Sequence, residues 1–390
     1  MNQQKNAAFQ FIDAHKEEMV ALWQEVVSIE SGPHEKPGIN KVADRFSQIL
    51  KEEGAEVRLV EFEKAGSLLV GELGRNEDKS GVVFLGHMDT ACPAGALAER
   101  PFTIKDGTVY GPGVLDMKGG IVAALYAIKA LKNAGYDSRA IKVLLAGDEE
   151  VLHAQSNAPE LMIEEAKGYA AAFNVETGFV DNGVVVGRKG VARIMLEVKG
   201  VAAHAGNDPE NGRNAILEMS YKVIGVQALT NWDKGISFNV GVIQGGTTST
   251  TVPEYAKVYI DVRYKDPDDL EEIMRQVQAV ADDVHVPGTT STVTYMEGIK
   301  PMKTTDGVKN LFEIVKAAYE ENGFGTPYAK FVGGASDSAY SVLAGVPTVC
   351  AMGVKGGRNH SPEEFALLDS LFERAKLLVA CVLKLDELKK

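Results

Sequence analysis

The sequence predicts an α/β protein: a mostly parallel sheet with helices on both faces, interrupted by an inserted α+β sandwich. Two observations carry this. Apolar runs of strand length alternate with helical segments through the first 184 residues and again after Pro301, the rhythm of parallel strands joined by helices. Between 185 and 298 the rhythm becomes one of alternating strands with two helices, as in a small separate domain. Length agrees, since 390 residues exceed what one hydrophobic core ordinarily supports and a 45% hydrophobic content can fill two. We therefore expect residues 1–184 and 299–390 to form one discontinuous domain and 185–298 an insert.

Residues 8–29 and 38–53 carry apolar side chains at helical spacing, and Gly54 stops the second helix. "AEVRLVEF", "SLLVGEL" and "GVVFLGH" read as strands. "MKGGIVAALYAIKALKNAG" reads as a helix, "AIKVLLAGDEE" as a strand, "APELMIEEAKG" as a helix and "YAAAFNVET" as a strand. In the insert, "VARIMLEVKG", "SFNVGVIQGG" and "YAKVYIDVRY" alternate as half-buried strands do, with helices at "GRNAILEMSYKVIGVQAL" and "DPDDLEEIMRQVQAVADDV". A helix over 306–322, the strand "PTVCAMGV" and a final helix from 367 to about 388 complete the chain.

Composition removes several classes of function. A net charge of −13 without a Lys/Arg cluster disfavours a nucleic-acid partner. No run approaches the roughly 18 apolar residues of a membrane span, and the polar opening "MNQQKNAAFQFIDAHKEE" is unlike a secretory signal, so a cytoplasmic protein is expected. Cys92, Cys350 and Cys381, odd in number and widely spaced, suit idle thiols better than disulfides or a thiolate metal site.

Ligands of an open parallel sheet bind beyond the carboxyl ends of its strands. Polar residues gather there. His87 and Asp89 end one strand, Glu149 and Glu150 another, Glu176 a third, His360 follows a fourth, and Asp116 precedes a helix. Taken singly, each has a plain reading: a packed histidine, an N-cap aspartate, a solvated acidic turn. Five carboxylates and two imidazoles at one sheet edge would repel one another unless protonated or neutralised by a cation. Imidazole with carboxylate suits zinc, with cobalt or manganese as substitutes, and a carboxylate can bridge two ions. Residues two apart on a strand point the same way, so Asp89 can orient the imidazole of His87. Adjacent Glu149 and Glu150 point differently, so one can bind metal while the other acts as a base toward water, the apparatus of amide hydrolysis.

The motifs "LGHMDT", "YGPGVLDMKGG", "AGDEE", "FNVETG", "HAGNDPENGRNAI", "GGASDSAYSVLAGVPTV" and "NHSPEEF" occur in one order over nearly the whole chain. Together they resemble the zinc peptidases and deacylases that include bacterial glutamate carboxypeptidase, aminoacylase, acetylornithine deacetylase and succinyl-diaminopimelate desuccinylase. The resemblance implies a zinc exopeptidase-like catalytic domain with two zinc ions. His87 and Glu176 would hold one, Glu150 and His360 the other, Asp116 would bridge them, and Glu149 would be general base and then general acid. The bond after "LD" in this loop is often cis in that family, which singles out the Asp116–Met117 peptide, and the resemblance implies that 185–298 is a lid through which the protein forms a homodimer.

Within that lid, "GVAAHAG" matches a family motif, so the resemblance makes His204 a candidate oxyanion stabiliser supplied to the partner subunit, and "DVRY" matches one that makes Arg263 a candidate for a substrate carboxylate. The run "GGAS" matches the family's cleft-lining loop, so the resemblance makes Gly334 and Ser336 candidates for the wall of the substrate cleft. Two stretches depart from the family pattern. Thr250 or Thr251 stands where an asparagine is common before "VP", and "VLHAQSNAPE" replaces a Gly/Ser-rich turn; its His153 is expected at the surface. In "NHSPEEF", Ser361, Pro362 and Glu364 read as a capping box opening a helix. The expected activity is release of an amino acid from an N-acyl or peptidyl small-molecule precursor. A glutamate carboxypeptidase-like exopeptidase leads, with an N-acyl-amino-acid deacylase as the alternative. A phosphoesterase would need an Arg/Lys clamp that is missing from the sequence, and a decayed non-catalytic binder would have lost the base or a ligand.

Overall fold

The computed structural model describes residues 2–74 and 80–385. The chain divides into two compact units, one of Met1–Gly187, Thr304–Phe331 and Ser336–Lys390, the other of Arg188–Lys303 and Val332–Ala335.

The first unit is built on a six-stranded sheet. Its strands run Glu56–Val60, Gly66–Leu73, Ile141–Gly147, Val82–His87, Ala171–Asn174 and Thr348–Val349 across the sheet. The first two pairings are antiparallel and the remaining three parallel. Every residue of Val82–His87 and Ile141–Gly147 is buried, which is why these strands read as continuous apolar runs. Helix Lys36–Glu52 packs on the antiparallel strands, while Gly119–Asn133 lies against Leu368–Leu385 and Asn2–Ala14. The first predicted helix is two, Asn2–Ala14 and Lys16–Val27, broken at His15. The last spans Leu368–Leu385, and the expected extension to about 388 lies outside the described residues.

A second, five-stranded sheet of short segments is invisible in the sequence pattern. Its order is Thr103–Lys105, Thr108–Tyr110, Phe365–Leu367, Lys355–Gly357 and Gly178–Phe179. Residues 358–364 therefore form the tip of a hairpin, with Gly356 opposite Ala366 and Gly357 opposite Phe365.

The other unit is an antiparallel sheet in the order Ser237–Gly245, Tyr255–Tyr264, Gly190–Lys199 and Thr290–Ile299. Alternate residues of Tyr255–Tyr264 are buried, and Ile194, Leu196, Ile260 and Val262 share a core with Met219 and Val277 of helices Ala215–Ala228 and Asp269–Asp282. Asn214 caps the first helix, accepting the Leu217 N–H at 2.9 Å. Among the described residues no helix is long and apolar enough to cross a membrane.

Candidate metal centre

Parallel strands deliver their carboxyl ends to one edge. Register places His87 opposite Ala146 and Leu85 opposite Asn174, so Glu149 and Glu150 leave the strand on one side of His87 and Glu176 the strand on the other. Asp116 reaches the same edge on the turn Val114–Lys118, where the Asp116–Met117 peptide is cis. It does not cap the following helix, whose N-cap position is Lys118. A β-carbon at Gly120 would sit 1.9 Å from the Val175 carbonyl oxygen, so glycine lets this helix start abut the segment carrying Glu176.

Asp116 stands between two imidazoles. Its Oδ1 lies 3.3 Å from His87 Nε2, which is 3.6 Å from Glu176 Oε1. Its Oδ2 lies 3.2 Å from His360 Nε2, which is 3.3 Å from Glu150 Oε2. Two sets of donors thus share one carboxylate. Across them, donor atoms of His87, Asp116 and Glu150 lie within 4.8 Å of one another.

Asp89 does more than orient an imidazole. His87 Nδ1 is 3.0 Å from the Asp89 carbonyl oxygen and 3.3 Å from Oδ1. The Asp89 carboxylate also accepts the backbone N–H groups of Glu149 at 3.3 Å and Glu150 at 2.9 Å. One side chain therefore holds both the histidine and the acidic turn.

Charge crowding is visible in the acidities. Burial, then the charges of Asp337, Glu176 and Glu150, raise Glu149 well above the carboxylate range against the pull of His87. Burial and Asp116 push Glu150 up to about 7. Hydrogen bonds to Asp116 and Glu150 carry His360 up to about 11. Burial would lower His87, but Asp116 and Asp89 outweigh it and raise it well above its usual value. Burial would raise Asp116, yet His360, His87 and Asn359 hold it far below the carboxylate range.

A cation resolves this arrangement. Among the described residues, Glu150 Oε1 is buried without a hydrogen-bond partner, and the donors are the imidazole and carboxylate groups that first-row divalent metals take.

Three residues of the surroundings escape or contradict the sequence reading. Glu364 closes no capping box, because 361–364 lie in the hairpin tip and no helix begins there. Its carboxylate instead accepts the N–H groups of Gly113, Leu115 and Asp116 at 3.1, 2.9 and 3.0 Å. Asn359 Nδ2 donates to Asp116 Oδ2 at 2.9 Å. His153 is no surface residue: it is 6% exposed and lies between Asp148 and Asp337. Its polar neighbours in sequence concealed that burial.

The remaining candidates have these places. Ser336 is buried, its hydroxyl within hydrogen-bond reach of Asn174, Ser338 and Cys350. In the insert, exposed His204 accepts the N–H groups of Gly206 and Asn207 on Nδ1, which leaves the proton of a neutral ring on Nε2. Arg263 is paired with Asp261 on its own strand at 2.8 and 3.0 Å. The Gly334 carbonyl accepts from Arg188 Nη1 at 3.2 Å. All three cysteines are buried and none forms a disulfide.

Two donor sets sharing a carboxylate, with a further carboxyl beside them, suit metal-dependent hydrolysis, and family membership narrows the class to metal-dependent hydrolases acting on amide bonds. Residues 83–384 match the Peptidase family M20/M25/M40, and the chain belongs to that family. It is 30% identical to Carboxypeptidase G2 of Pseudomonas sp. (strain RS-16) over 363 residues, covering 91% of this chain and 86% of that one. It is 27% identical over 307 residues to the succinyl-diaminopimelate desuccinylase of Stenotrophomonas maltophilia, covering 74% and 80%. The fold is shared with the aminopeptidase PepT of Bacillus cereus, at a TM-score of 0.79 and 22% identity over 95% of this chain and 99% of that one.

Proposed function

We propose that this protein is a dinuclear zinc hydrolase that releases an amino acid with a free α-carboxylate from an N-acyl or peptidyl precursor, as a glutamate carboxypeptidase does. The observation that carries the reading is Asp116, which offers one oxygen to the His87–Glu176 side and the other to the His360–Glu150 side. His87 and Glu176 would hold one ion, His360 and Glu150 the other, with Asp116 shared. Cobalt or manganese suits the same donors. When bound, such ions polarise a carbonyl and acidify water.

The chain's own groups move the proton. Glu149 takes it from the attacking water as the water oxygen adds to the scissile carbonyl carbon. It returns the proton to the leaving nitrogen as the C–N bond breaks. Asp89 keeps Glu149 and His87 in fixed relation through its backbone and side-chain bonds. His204, donating from Nε2, would stabilise the oxyanion in the partner subunit of a homodimer. Arg263 would exchange Asp261 for the substrate carboxylate, and Gly334 and Ser336 would border the cleft. Three cysteines without a disulfide among them support a cytoplasmic setting.

Likeness to Carboxypeptidase G2 favours the exopeptidase reading. Likeness to desuccinylases supports a second, an N-acyl-amino-acid deacylase using the same centre with a different pocket. A panel of N-acyl amino acids and dipeptides separates them. Chelation should abolish cleavage and zinc should restore it, while Glu149→Ala should keep its metal and lose about 1,000-fold in kcat. Turnover that survives chelation, or a Glu149→Ala enzyme near full activity, refutes the proposal.

A further inference from the structure

The turn that carries Glu149 is built against its own backbone preferences. After the single 3-10 turn Glu149–Val151, two successive non-glycine residues, Leu152 and His153, adopt left-handed φ values of 57° and 55°. That conformation is unfavourable to residues with a β-carbon. The backbone closes on itself there, with the Leu152 N–H on the Glu149 carbonyl at 2.7 Å and the His153 N–H on the Asp148 carbonyl at 3.0 Å. Something outside the turn must hold it in this shape.

The His153 side chain does so. Its Nδ1 lies 2.9 Å from Asp148 Oδ1 and its Nε2 lies 2.7 Å from Asp337 Oδ1, with all three side chains buried. The ring thus bridges one carboxyl oxygen on each side, and two ionised carboxylates would both accept from it when both ring nitrogens carry protons. The other oxygens, Asp148 Oδ2 and Asp337 Oδ2, are buried without hydrogen-bond partners among the described residues. The ring also packs edge-on against Tyr340, with centroids 5.6 Å apart. Asp337 and Tyr340 belong to the start of helix Ser338–Leu343, so the contact fastens the acidic turn to a separate element.

We propose that His153 is a positioning residue for Glu149, acting through a buried Asp148–His153–Asp337 clamp. The proposal rests on Glu149 being the base. Glu149 sits between two fixings: Asp89 binds the N–H groups of 149 and 150 from one side, and the clamp grips Asp148 and the end of the turn from the other. His87, Asp116, Glu176 and His360 stand on other segments, and Glu150, which shares the turn, is held separately by Asp89 at its N–H and by His360 at its carboxylate, so relaxing the clamp displaces the base more than the donors. Proton transfer depends steeply on such placement, and a shift of about 1 Å can cost up to about 100-fold in rate.

The test uses the full-length, zinc-loaded protein with His153→Gln, His153→Ala and Asp337→Asn, each also combined with Glu149→Ala. Turnover, KM, metal per chain and thermal midpoint are measured for every variant. The proposal expects kcat to fall about 10- to 100-fold with KM within about twofold and metal content unchanged. In the Glu149→Ala background it expects no further loss, because a residue acting only through Glu149 has nothing left to position. A folded His153→Gln enzyme with wild-type kcat, metal loss in step with turnover, or an added loss in the double variant overturns it. Should His153→Ala fail to fold, Asp337→Asn, which preserves shape, decides by the same readings. Failure of the base assignment shows separately, as a Glu149→Ala single variant that stays active.

Discussion

Glu364 is a carboxylate that touches no imidazole, yet it governs where Asp116 lies by accepting three backbone N–H groups of the 113–116 turn. An amide at this position can accept with only one end, so one or two of those buried N–H groups would lose their partner. Glu364→Gln should therefore weaken zinc binding about 10-fold, measured by competition with a chromogenic chelator. Unchanged affinity would mean the turn is held by other means. The centre was legible at the residue scale where chemistry recurs at strand ends, as for His87, Glu150 and Glu176. The cis peptide after Asp116 was legible only through resemblance. Asn359 and Glu364 were not, because their partners lie 243 to 251 residues away and one sequence does not reveal who meets whom. His153 was misplaced for the same reason, since Asp337 lies 184 residues away from it.

Elements are fastened to one another by a few charged side chains outside the centre. Lys142, on the strand that leads to Glu149, bonds Glu165 Oε2 of helix Ala158–Ala166 at 2.7 Å, and Arg58 reaches the same carboxylate. Burial would raise Glu165, but Lys142 and Arg58 outweigh it and the folded carboxyl lies below its usual value. A lowered folded pKa stabilises above the unfolded value of about 4.3 and is lost as pH falls through the folded one. Glu165→Gln should thus cost about 1 kcal/mol at pH 7, with the difference from wild type narrowing below pH 4 in thermal melts. A constant difference across that range would discredit the pairing. Legibility at this scale followed periodicity. Long apolar strands and amphipathic helices were found, whereas Thr290–Ile299, an edge strand with a single buried residue, and the three-residue strands around His360 offer too little pattern.

At the scale of the molecule, the insert presents apolar side chains to solvent. Ile216, Leu217, Tyr221 and Ile224 are exposed on helix Ala215–Ala228, and Val242 and Ile243 on the edge strand Ser237–Gly245. Such a surface is where the proposed homodimer would form. The double variant Ile224→Glu/Ile243→Lys should sediment as a monomer, keep its metal and lose activity if His204 serves the partner; a dimer that persists would point to another interface.

The insert has one more property. Its entering and leaving strands are bonded to each other, with reciprocal N–H to carbonyl bonds of 3.1 Å between Arg188 and Met302. The strand Thr348–Val349, which finishes the large sheet on Ala172–Phe173, is made only after the insert has been synthesised. Closing a disordered loop of that length would cost about 4 kcal/mol in chain entropy. An insert that folds first ties its own ends together and removes most of that loop. The interruption in the sheet's chain order then becomes a short connection, and late strands can find early ones during synthesis without a long search.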